Sequence, residues 1–338
     1  MIKNIFFLSL LIISCKGSTV VMDNDNPENN QLPEPSKHDV IYADVKKKPA
    51  LVTTPEEVKE IVSYLASDEL AGRDTGSEGI DKAATYIANN FKDSGLKEYY
   101  KSYRDTFKVG NKEAFNVVGV IEGKDPELKD EFVVIGAHYD HIGNGKKVGE
   151  DIIANGANDN AAGTATVMEL AKYLAKKSNK RSILFVAFAA EEKGLLGSKH
   201  LAKKLKNEGV NVAIVLNFEM IGVPLKDKDY TAYVTGYNMS NLAEKMNSYA
   251  SANLVGYLPQ AKQYQLFSRS DNYPFYKEFK IPAQTFCTFD FTNFDYYHHV
   301  DDEVDKLDFN HMASFINAYA LAVEKVINSK PGEIKLNE

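Results

Sequence analysis

Residues 182–198, SILFVAFAAEEKGLLGS, join one of the most apolar runs of the chain to two adjacent glutamates, Glu191 and Glu192. A run that is apolar on both faces is typical of a strand covered on both sides of its sheet, as in α/β proteins. Two like charges beside such a strand cost free energy unless another group holds them. The pair either opens the next helix, whose positive end favours acids, or belongs to a site completed by other segments.

Three other short runs have the same character, and helical patterns separate them. The runs are FNVVGVI at 115–121, EFVVIGA at 131–137 and VNVAIVLNF at 210–218. Helices are predicted from Pro55 to about Ala66 and over 76–96, 164–177 and 197–207, and further strands or helices over 230–235, 241–252, 282–288 and 310–327. This alternation predicts an α/β sheet with helices on both faces.

Three of the predicted strands end in residues that carry chemistry. The run at 131–137 leads into His138 and Asp140, the run at 182–190 into Glu191 and Glu192, and the run at 210–218 into Glu219. Ligands of open α/β sheets bind outside the carboxyl ends of the strands. We therefore expect a histidine and several carboxylates to meet at one edge of the sheet.

Two further segments supply metal-binding residue types. NGANDNAAG places Asp159 in a loop before a helix, and DYYHHVDDEVDKLD places His298 and His299 in a polar loop. Taken alone, Asp159 is equally a helix cap, and the histidines a solvated pair. Together with the strand ends, these nitrogen and oxygen donors suit zinc, with enough ligands for two ions.

Five motifs occur in the chain in a fixed order: GAHYDHIG, NGANDNAAG, AAEEKGLLGS, NFEMIG and YHHVDDEVDKLD. In these motifs the sequence resembles the secreted di-zinc aminopeptidases of metallopeptidase family twenty-eight, over most of the chain from about Thr54 onward. The resemblance implies a three-layer αβα fold of the zinc-exopeptidase type. Its central sheet would be mixed and mostly parallel, with helices on both faces.

The resemblance also implies a role for each matching position. Two zinc ions would be held by His138 and Glu219 on one side and by Glu192 and His298 on the other, with Asp159 bridging them. His298 is preferred to His299 because an aspartate follows it after four residues and a lysine after eight, as in the family.

The remaining implied roles belong to residues that bind no metal. Glu191 would be the general base, Asp140 would hydrogen-bond the far ring nitrogen of the first histidine ligand, and Tyr297 would steady the substrate carbonyl oxygen. The peptide bond between Asp159 and Asn160 would be cis. Many family members have aspartate where this chain has Glu219, which leaves open how the substrate amine is recognised.

The composition and the N-terminal sequence indicate where the protein is located and which partners it has. The chain has 338 residues, with 40 basic and 47 acidic side chains and a net charge of −7, which argues against a nucleic-acid partner. Residues 1–14 are predicted to be a signal peptide, 15–50 a flexible tether with a lipid on Cys15, and 51–338 a single zinc peptidase domain. The expected location is the periplasmic side of a bacterial membrane or the cell surface. An unlipidated signal peptide is the alternative.

Other functions remain open. A glutaminyl cyclase shares the implied fold and the glutamate pair but uses one zinc ion, so His138 and Glu219 would be surplus. A carboxypeptidase or dipeptidase would need an arginine such as Arg269 for the substrate carboxylate. A binding lipoprotein would have lost the metal ligands. The expected partner is a peptide substrate, and no partner protein is implied.

Overall fold

The computed structural model describes residues 36–45 and 51–338. The predicted signal peptide and Cys15 lie outside the described residues. Within the segment predicted as a flexible tether, residues Lys37–Asp44 form a helix capped by Ser36, so this part of the segment is helical. No helix in the described ranges has the length and apolar character needed to cross a membrane.

The described residues form a succession of strands and helices in which the two types alternate over the central part of the chain. The helices are α1 (Lys37–Asp44), α2 (Pro55–Leu65), α3 (Glu78–Asp93), α4 (Gly163–Leu174), α5 (Leu196–Asn207), α6 (Leu242–Ala250), α7 (Pro259–Gln263), α8 (Asn272–Phe279) and α9 (Phe309–Ile327). The strands are β1 (Lys97–Glu98), β2 (Arg104–Val109), β3 (Lys112–Ile121), β4 (Glu131–His138), β5 (Gly143–Val148), β6 (Asp151–Ala154), β7 (Ser182–Phe188), β8 (Asn211–Glu219), β9 (Ala232–Val234), β10 (Val255–Gly256) and β11 (Ala283–Cys287).

The strands build a nine-stranded mixed sheet in the order β1-β3-β7-β4-β8-β11-β9-β10, with β2 also paired to β3. The centre, from β7 through β4 and β8 to β11, is parallel. Strands β3 and β9 are antiparallel to their neighbours β7 and β11. The sheet is therefore mixed, as predicted, and parallel strands form its centre.

Helices cover both faces of the sheet, as the sequence predicts. One face packs against α2, α3, α4, α6 and α9, and the other against α5 and α8. Neighbouring strand residues alternate between these two cores, with Val133 and Ile135 on the first face and Val134 on the second. Because each such side chain contributes about 1.5–3 kcal/mol when fully buried, a strand apolar on both faces stabilises both layers.

Local signals predict the helix starts well and the polar strands poorly. Thr54 caps α2 through a reciprocal pair of hydrogen bonds with Glu57, as a threonine before proline suggests. The hairpin of β5 and β6 was not predicted, because its sequence, GNGKKVGEDIIA, carries no apolar alternation.

The buried His311 in α9 predicts a loss of stability in acid. The Tyr42 hydroxyl lies 3.3 Å from the His311 Nδ1, and within the described part of the chain the His311 Nε2 has no hydrogen-bond partner. Burial, followed by the neighbouring His38, lowers the pKa of His311 to about 3. The unfolded chain takes up this proton near pH 6.5 and the folded chain does not. Stability should therefore fall by about 1.4 kcal/mol per pH unit between about pH 6 and pH 4.

Urea unfolding at pH 6.5 and pH 4.5 tests this contribution. The stability difference between the two pH values should be about 2–3 kcal/mol smaller in His311→Leu than in the wild type, since the variant cannot take up the proton. An equal pH dependence in both proteins would contradict the assignment. His38→Asn serves as the companion variant, because it removes the neighbouring imidazole and leaves His311 in place.

Candidate active site

The parallel strands place their last residues side by side at one edge of the sheet. His138 ends β4 and pairs with Phe188 of β7, while Glu219 ends β8 and pairs with Cys287 of β11. Strands β4 and β8 are in register from Val133 onward, so His138 and Glu219 stand at the same level. The sheet itself therefore brings the first two predicted ligands together.

The loop after β7 is fixed by a buried asparagine that the sequence interpretation passed over. The Asn116 Oδ1 accepts from the Ala189 N–H at 3.1 Å, and its Nδ2 donates to the Gly197 carbonyl at 3.1 Å. Asn116 thus clamps both ends of the loop that holds Glu191 and Glu192. Helix α5 begins only at Leu196, so the glutamate pair does not open it.

Asp140 contributes in a way that differs from the prediction. The His138 Nδ1 lies 3.1 Å from the main-chain oxygen of Asp140 and 3.7 Å from its carboxylate, so the carbonyl is the hydrogen-bond acceptor. The fully buried carboxylate instead accepts from the backbone N–H groups of Glu191, at 3.1 Å, and Glu192, at 3.3 Å. Asp140 therefore orients the histidine through its backbone and the glutamate loop through its side chain.

Asp159 is held from behind by Asp302. The two carboxylate oxygens of Asp302 accept from the backbone N–H groups of Asn158, at 2.7 Å, and Asp159, at 3.0 Å. The peptide bond between Asp159 and Asn160 is cis, as the family resemblance implied. These contacts leave the Asp159 side chain facing the strand ends, between the other acids.

A first set of metal-binding atoms consists of His138, Asp159 and Glu219, whose donor atoms all lie within 4.8 Å of one another. The His138 Nε2 is 3.2 Å from a carboxylate oxygen of Asp159. The Glu219 carboxylate also accepts from the Ser270 hydroxyl. These are three of the five predicted ligands.

The second set shares Asp159 and contains Glu192, with two histidines in contact. The predicted ligand His298 places its Nε2 3.1 Å from Glu192 and 3.3 Å from Asp159. His141, which was not predicted, has its Nδ1 3.1 Å from the same Glu192 oxygen and groups with Glu192 and Asp159 within 4.8 Å. His299 belongs to neither set, and its Nδ1 accepts from the backbone N–H of Asp301 at 3.1 Å.

The donor arrangement fits a metal ion because His138 presents an unpaired nitrogen to it. The His138 Nε2 is buried and has no hydrogen-bond partner among the described residues. At 3.2 Å from Asp159, the His138 Nε2 has the distance but not the geometry of a hydrogen bond. A ring nitrogen and a carboxylate that face one space in this way are suited to binding one cation, and imidazole with carboxylate suits zinc.

Glu191 stands apart from both sets of donor atoms. Burial raises the pKa of Glu191 well above its usual value, against the opposing attraction of His138. The neighbouring carboxylates of Glu219 and Asp271 add to the increase. A carboxyl group that lies outside both sets of donor atoms and has a raised pKa is suited to accepting and returning a proton.

A pocket opens directly above these residues. Its acidic side is formed by Asp159, Glu191, Glu192 and Glu219, and its apolar side by Met220, Tyr233, Leu266, Phe289, Phe291 and Tyr297. Tyr297 stacks on the His298 ring with centroids 4.0 Å apart, which places its side chain at the metal-binding end. Arg269 is the cation among the described residues that line the pocket.

The structure thus gathers every predicted site residue and adds three that the sequence interpretation did not assign. His141 stands inside the quoted motif GAHYDHIG, which was the available signal. Asn116 stands inside a predicted strand and has no such signal. Asp302 was used only to choose between two histidines, although it supports Asp159 directly.

The sequence is similar to that of probable zinc metalloproteases. A family model described as peptidase family M28 matches residues 116–323. A probable zinc metalloprotease of Pyrenophora tritici-repentis (strain Pt-1C-BFP) is 30% identical over 174 residues, which are 49% of this chain and 40% of the relative. The aligned part is therefore less than half of that relative's length.

Solved structures show the same architecture. The LapA aminopeptidase of Legionella pneumophila aligns with a TM-score of 0.62 and 25% identity, over 85% of this chain and 74% of its own. The glutaminyl cyclase of Fimbriiglobus ruber aligns with a TM-score of 0.62 and 20% identity, over 82% of this chain and 98% of its own. The likeness to the cyclase is one of fold alone.

Proposed function

Because this chain belongs to peptidase family M28, we propose that it is a zinc-dependent aminopeptidase, which removes residues from the free N-terminus of peptides. The observation that carries the proposal is that two sets of metal-binding atoms share Asp159 while Glu191 remains outside both. This arrangement would provide two metal positions and a separate base in the lining of one pocket.

We assign the first zinc ion to His138, Asp159 and Glu219, and the second to Asp159, Glu192 and His298. His141 has no exposed surface and its Nδ1 lies within hydrogen-bond distance of Glu192, so we give it the role of orienting that ligand. His298 lies in a loop at the pocket, beside Tyr297, where a ligand also borders the substrate. Each ion would then keep a position open for a water molecule or substrate.

The reaction follows from the residues around the metal positions. Zinc bound there would polarise the scissile carbonyl and lower the pKa of a water molecule. Glu191 accepts a proton from that water as its oxygen bonds to the carbonyl carbon. It then gives the proton to the nitrogen as the carbon–nitrogen bond breaks, so that the amine leaves neutral. Tyr297, at the metal-binding end of the pocket, would donate its hydroxyl hydrogen to the carbonyl oxygen.

The pocket suits a substrate with a free amine and an apolar side chain. Once Asp159, Glu192 and Glu219 bind zinc, Arg269 is the one cationic side chain among the described residues of its lining, and a single arginine offers little to a C-terminal carboxylate. Its opposite wall is aromatic and aliphatic, with Phe289, Phe291 and Leu266 among its residues. We therefore propose cleavage after apolar N-terminal residues, which also favours an aminopeptidase over a carboxypeptidase.

A single-zinc glutaminyl cyclase is the competing function on this fold. It would leave His138 and Glu219 without a task, yet both stand at the end of central strands and group with Asp159. This grouping supports the two-metal peptidase. Export and lipid attachment at Cys15 remain predictions from the sequence, as does the absence of a protein partner.

A substrate series tests the proposed function. Peptides and aminoacyl anilides with a free N-terminus should be hydrolysed, and their acetylated counterparts should react at least about tenfold more slowly, because acetylation blocks the amine that an aminopeptidase recognises. N-terminal leucine or phenylalanine should be preferred to aspartate. A chelator should abolish turnover, and zinc should restore it. Equal cleavage of acetylated substrates, or cyclisation of N-terminal glutamine alone, would contradict the proposal.

A further inference from the structure

Arg73 is a fully buried arginine whose guanidinium donates to four backbone carbonyls and, among the residues that the structure describes, to no carboxylate. It belongs to the stretch DELAGRDTG, which none of the assignments above has used. We infer that Arg73 is a positioning residue that sets the zinc affinity of the site by holding together two turns, one that follows His138 (residues 139–143) and one that leads to Asp159 (residues 154–158). The inference rests on the proposed metal centre, but not on the proposed substrate.

The guanidinium group joins three segments through their backbone carbonyls. Its Nε donates to the carbonyl of Tyr139 at 2.8 Å, and its Nη2 donates to that of Gly156 at 2.9 Å. Its Nη1 donates to the carbonyls of Leu65 and Asn155, the latter at 2.6 Å. Tyr139 follows the ligand His138 directly, and Gly156 stands three residues before the ligand Asp159.

The backbone of the same residue adds a further link to the first turn. The Arg73 carbonyl accepts from the backbone N–H of His141 at 3.3 Å. Its neighbour Gly72 has a φ of +66°, and a Cβ there would stand 2.4 Å from the carbonyl oxygens of Gly143 and Ala154. Only a glycine lets the chain approach this closely, so Arg73 enters the space between the two turns from a backbone already pressed against both.

The chemistry of the contacts requires an arginine. A planar guanidinium offers five N–H donors in a fixed fork, which suits acceptors that converge from different directions. A lysine has a compact ammonium group with three donors and no such fork, so it would serve fewer of these carbonyls. The arrangement therefore fixes the spacing between the turns, beyond supplying a positive charge.

The positive charge of Arg73 lies among several acidic side chains, but the guanidinium group hydrogen-bonds none of those that affect its pKa. Burial lowers the pKa of Arg73 to about 10, while the attraction of Asp302, Asp140, Asp159 and Glu192 opposes that shift. The group is therefore protonated at neutral pH. Since it hydrogen-bonds none of these carboxylates, their oxygens stay available for metal ions and backbone N–H groups.

Arg181 provides a matched comparison inside the same chain. It is nearly as buried as Arg73 and likewise donates to two backbone carbonyls, those of Ile327 and Ser329, in addition to the carboxylate of Glu131. It stands just before β7, at the opposite end of that strand from Glu191. A variant of Arg181 should lose stability without disturbing the two turns.

The test compares Arg73→Lys and Arg73→Gln with Arg181→Lys and Arg181→Gln in the full chain. Zinc affinity is measured by competition with a fluorescent chelator, and the zinc-induced rise in Tm is recorded for each protein. The Arg73 variants should bind zinc about 10–100-fold more weakly, as expected when the support of a ligand is lost. The Arg181 variants should stay within about twofold of the wild type, because distant sites are independent.

Wild-type zinc affinity in folded Arg73 variants would overturn the inference and leave Arg73 a purely structural residue. Should Arg73→Gln be too unstable to purify, Arg73→Lys alone decides, since it keeps the charge and loses the fork. No substrate enters the measurement. A wild type that binds zinc but cleaves no peptide would therefore contradict the proposed function and leave the role of Arg73 standing.

Discussion

Glu191→Gln should lower kcat for a peptide with a free N-terminus by about 10²–10⁴-fold while leaving the zinc content unchanged. Glutamine has nearly the same shape but cannot accept the proton of the attacking water. Glu191 belongs to neither set of metal-binding atoms, so its replacement leaves every ligand in place. Steady-state kinetics and metal analysis of the same preparation give the two readouts.

Glu192→Gln is the matched control for this prediction, because the two side chains are adjacent and chemically identical. Glu192 is within 3.1 Å of both His141 and His298 and shares a set of donor atoms with Asp159. Its replacement should therefore weaken zinc binding, with the loss of activity following from the loss of metal. Wild-type kcat in Glu191→Gln, or equal zinc loss in both variants, would show that the two glutamates do not have separate roles.

Asp159→Asn should have the largest effect on metal binding of any single substitution in the site. Asp159 is the carboxylate common to both sets of donor atoms, and an amide binds zinc far less well than a carboxylate. We expect zinc affinity to fall by more than about 100-fold, beyond the range seen when only the support of a ligand is lost. Isothermal titration with zinc measures the affinity and the number of ions together.

Asp302→Asn separates ligation from support at the same position. The Asp302 carboxylate accepts from the backbone N–H of Asp159 at 3.0 Å and does not contact the Asp159 carboxylate. Asp302→Asn should therefore weaken zinc binding by about 10–100-fold at most. An Asp159→Asn protein that retains two zinc ions with wild-type affinity would contradict the bridging role. So would a larger effect of Asp302→Asn than of Asp159→Asn.

The fold could be predicted because its signals are local. Runs such as 182–188 are apolar on both faces, and this pattern is visible in the sequence and indicates a strand covered by helices on both sides. The hairpin of β5 and β6 lacks such a pattern because most of its residues are exposed. The exposure of these residues depends on the surrounding structure, which a local pattern does not contain.

The site could be predicted where a residue type and a strand end coincide, and not where a role depends on contacts between distant segments. His138 and Glu219 follow from the ends of β4 and β8. Asn116 clamps a loop that lies more than seventy residues further along the chain, and nothing around it in the sequence marks that task. The Asp140 carbonyl lies 3.1 Å from the His138 Nδ1 and the Asp140 carboxylate 3.7 Å, and this difference depends on side-chain rotation, which the sequence does not encode.

The number of zinc ions that the chelated and refilled wild-type protein binds tests the central claim most directly. The two overlapping sets of donor atoms predict two ions per chain, with aminopeptidase activity appearing as the sites fill. Saturation at one ion would contradict the account and favour the single-metal chemistry of a glutaminyl cyclase. No zinc binding at all would leave the protein without the catalytic centre proposed for it.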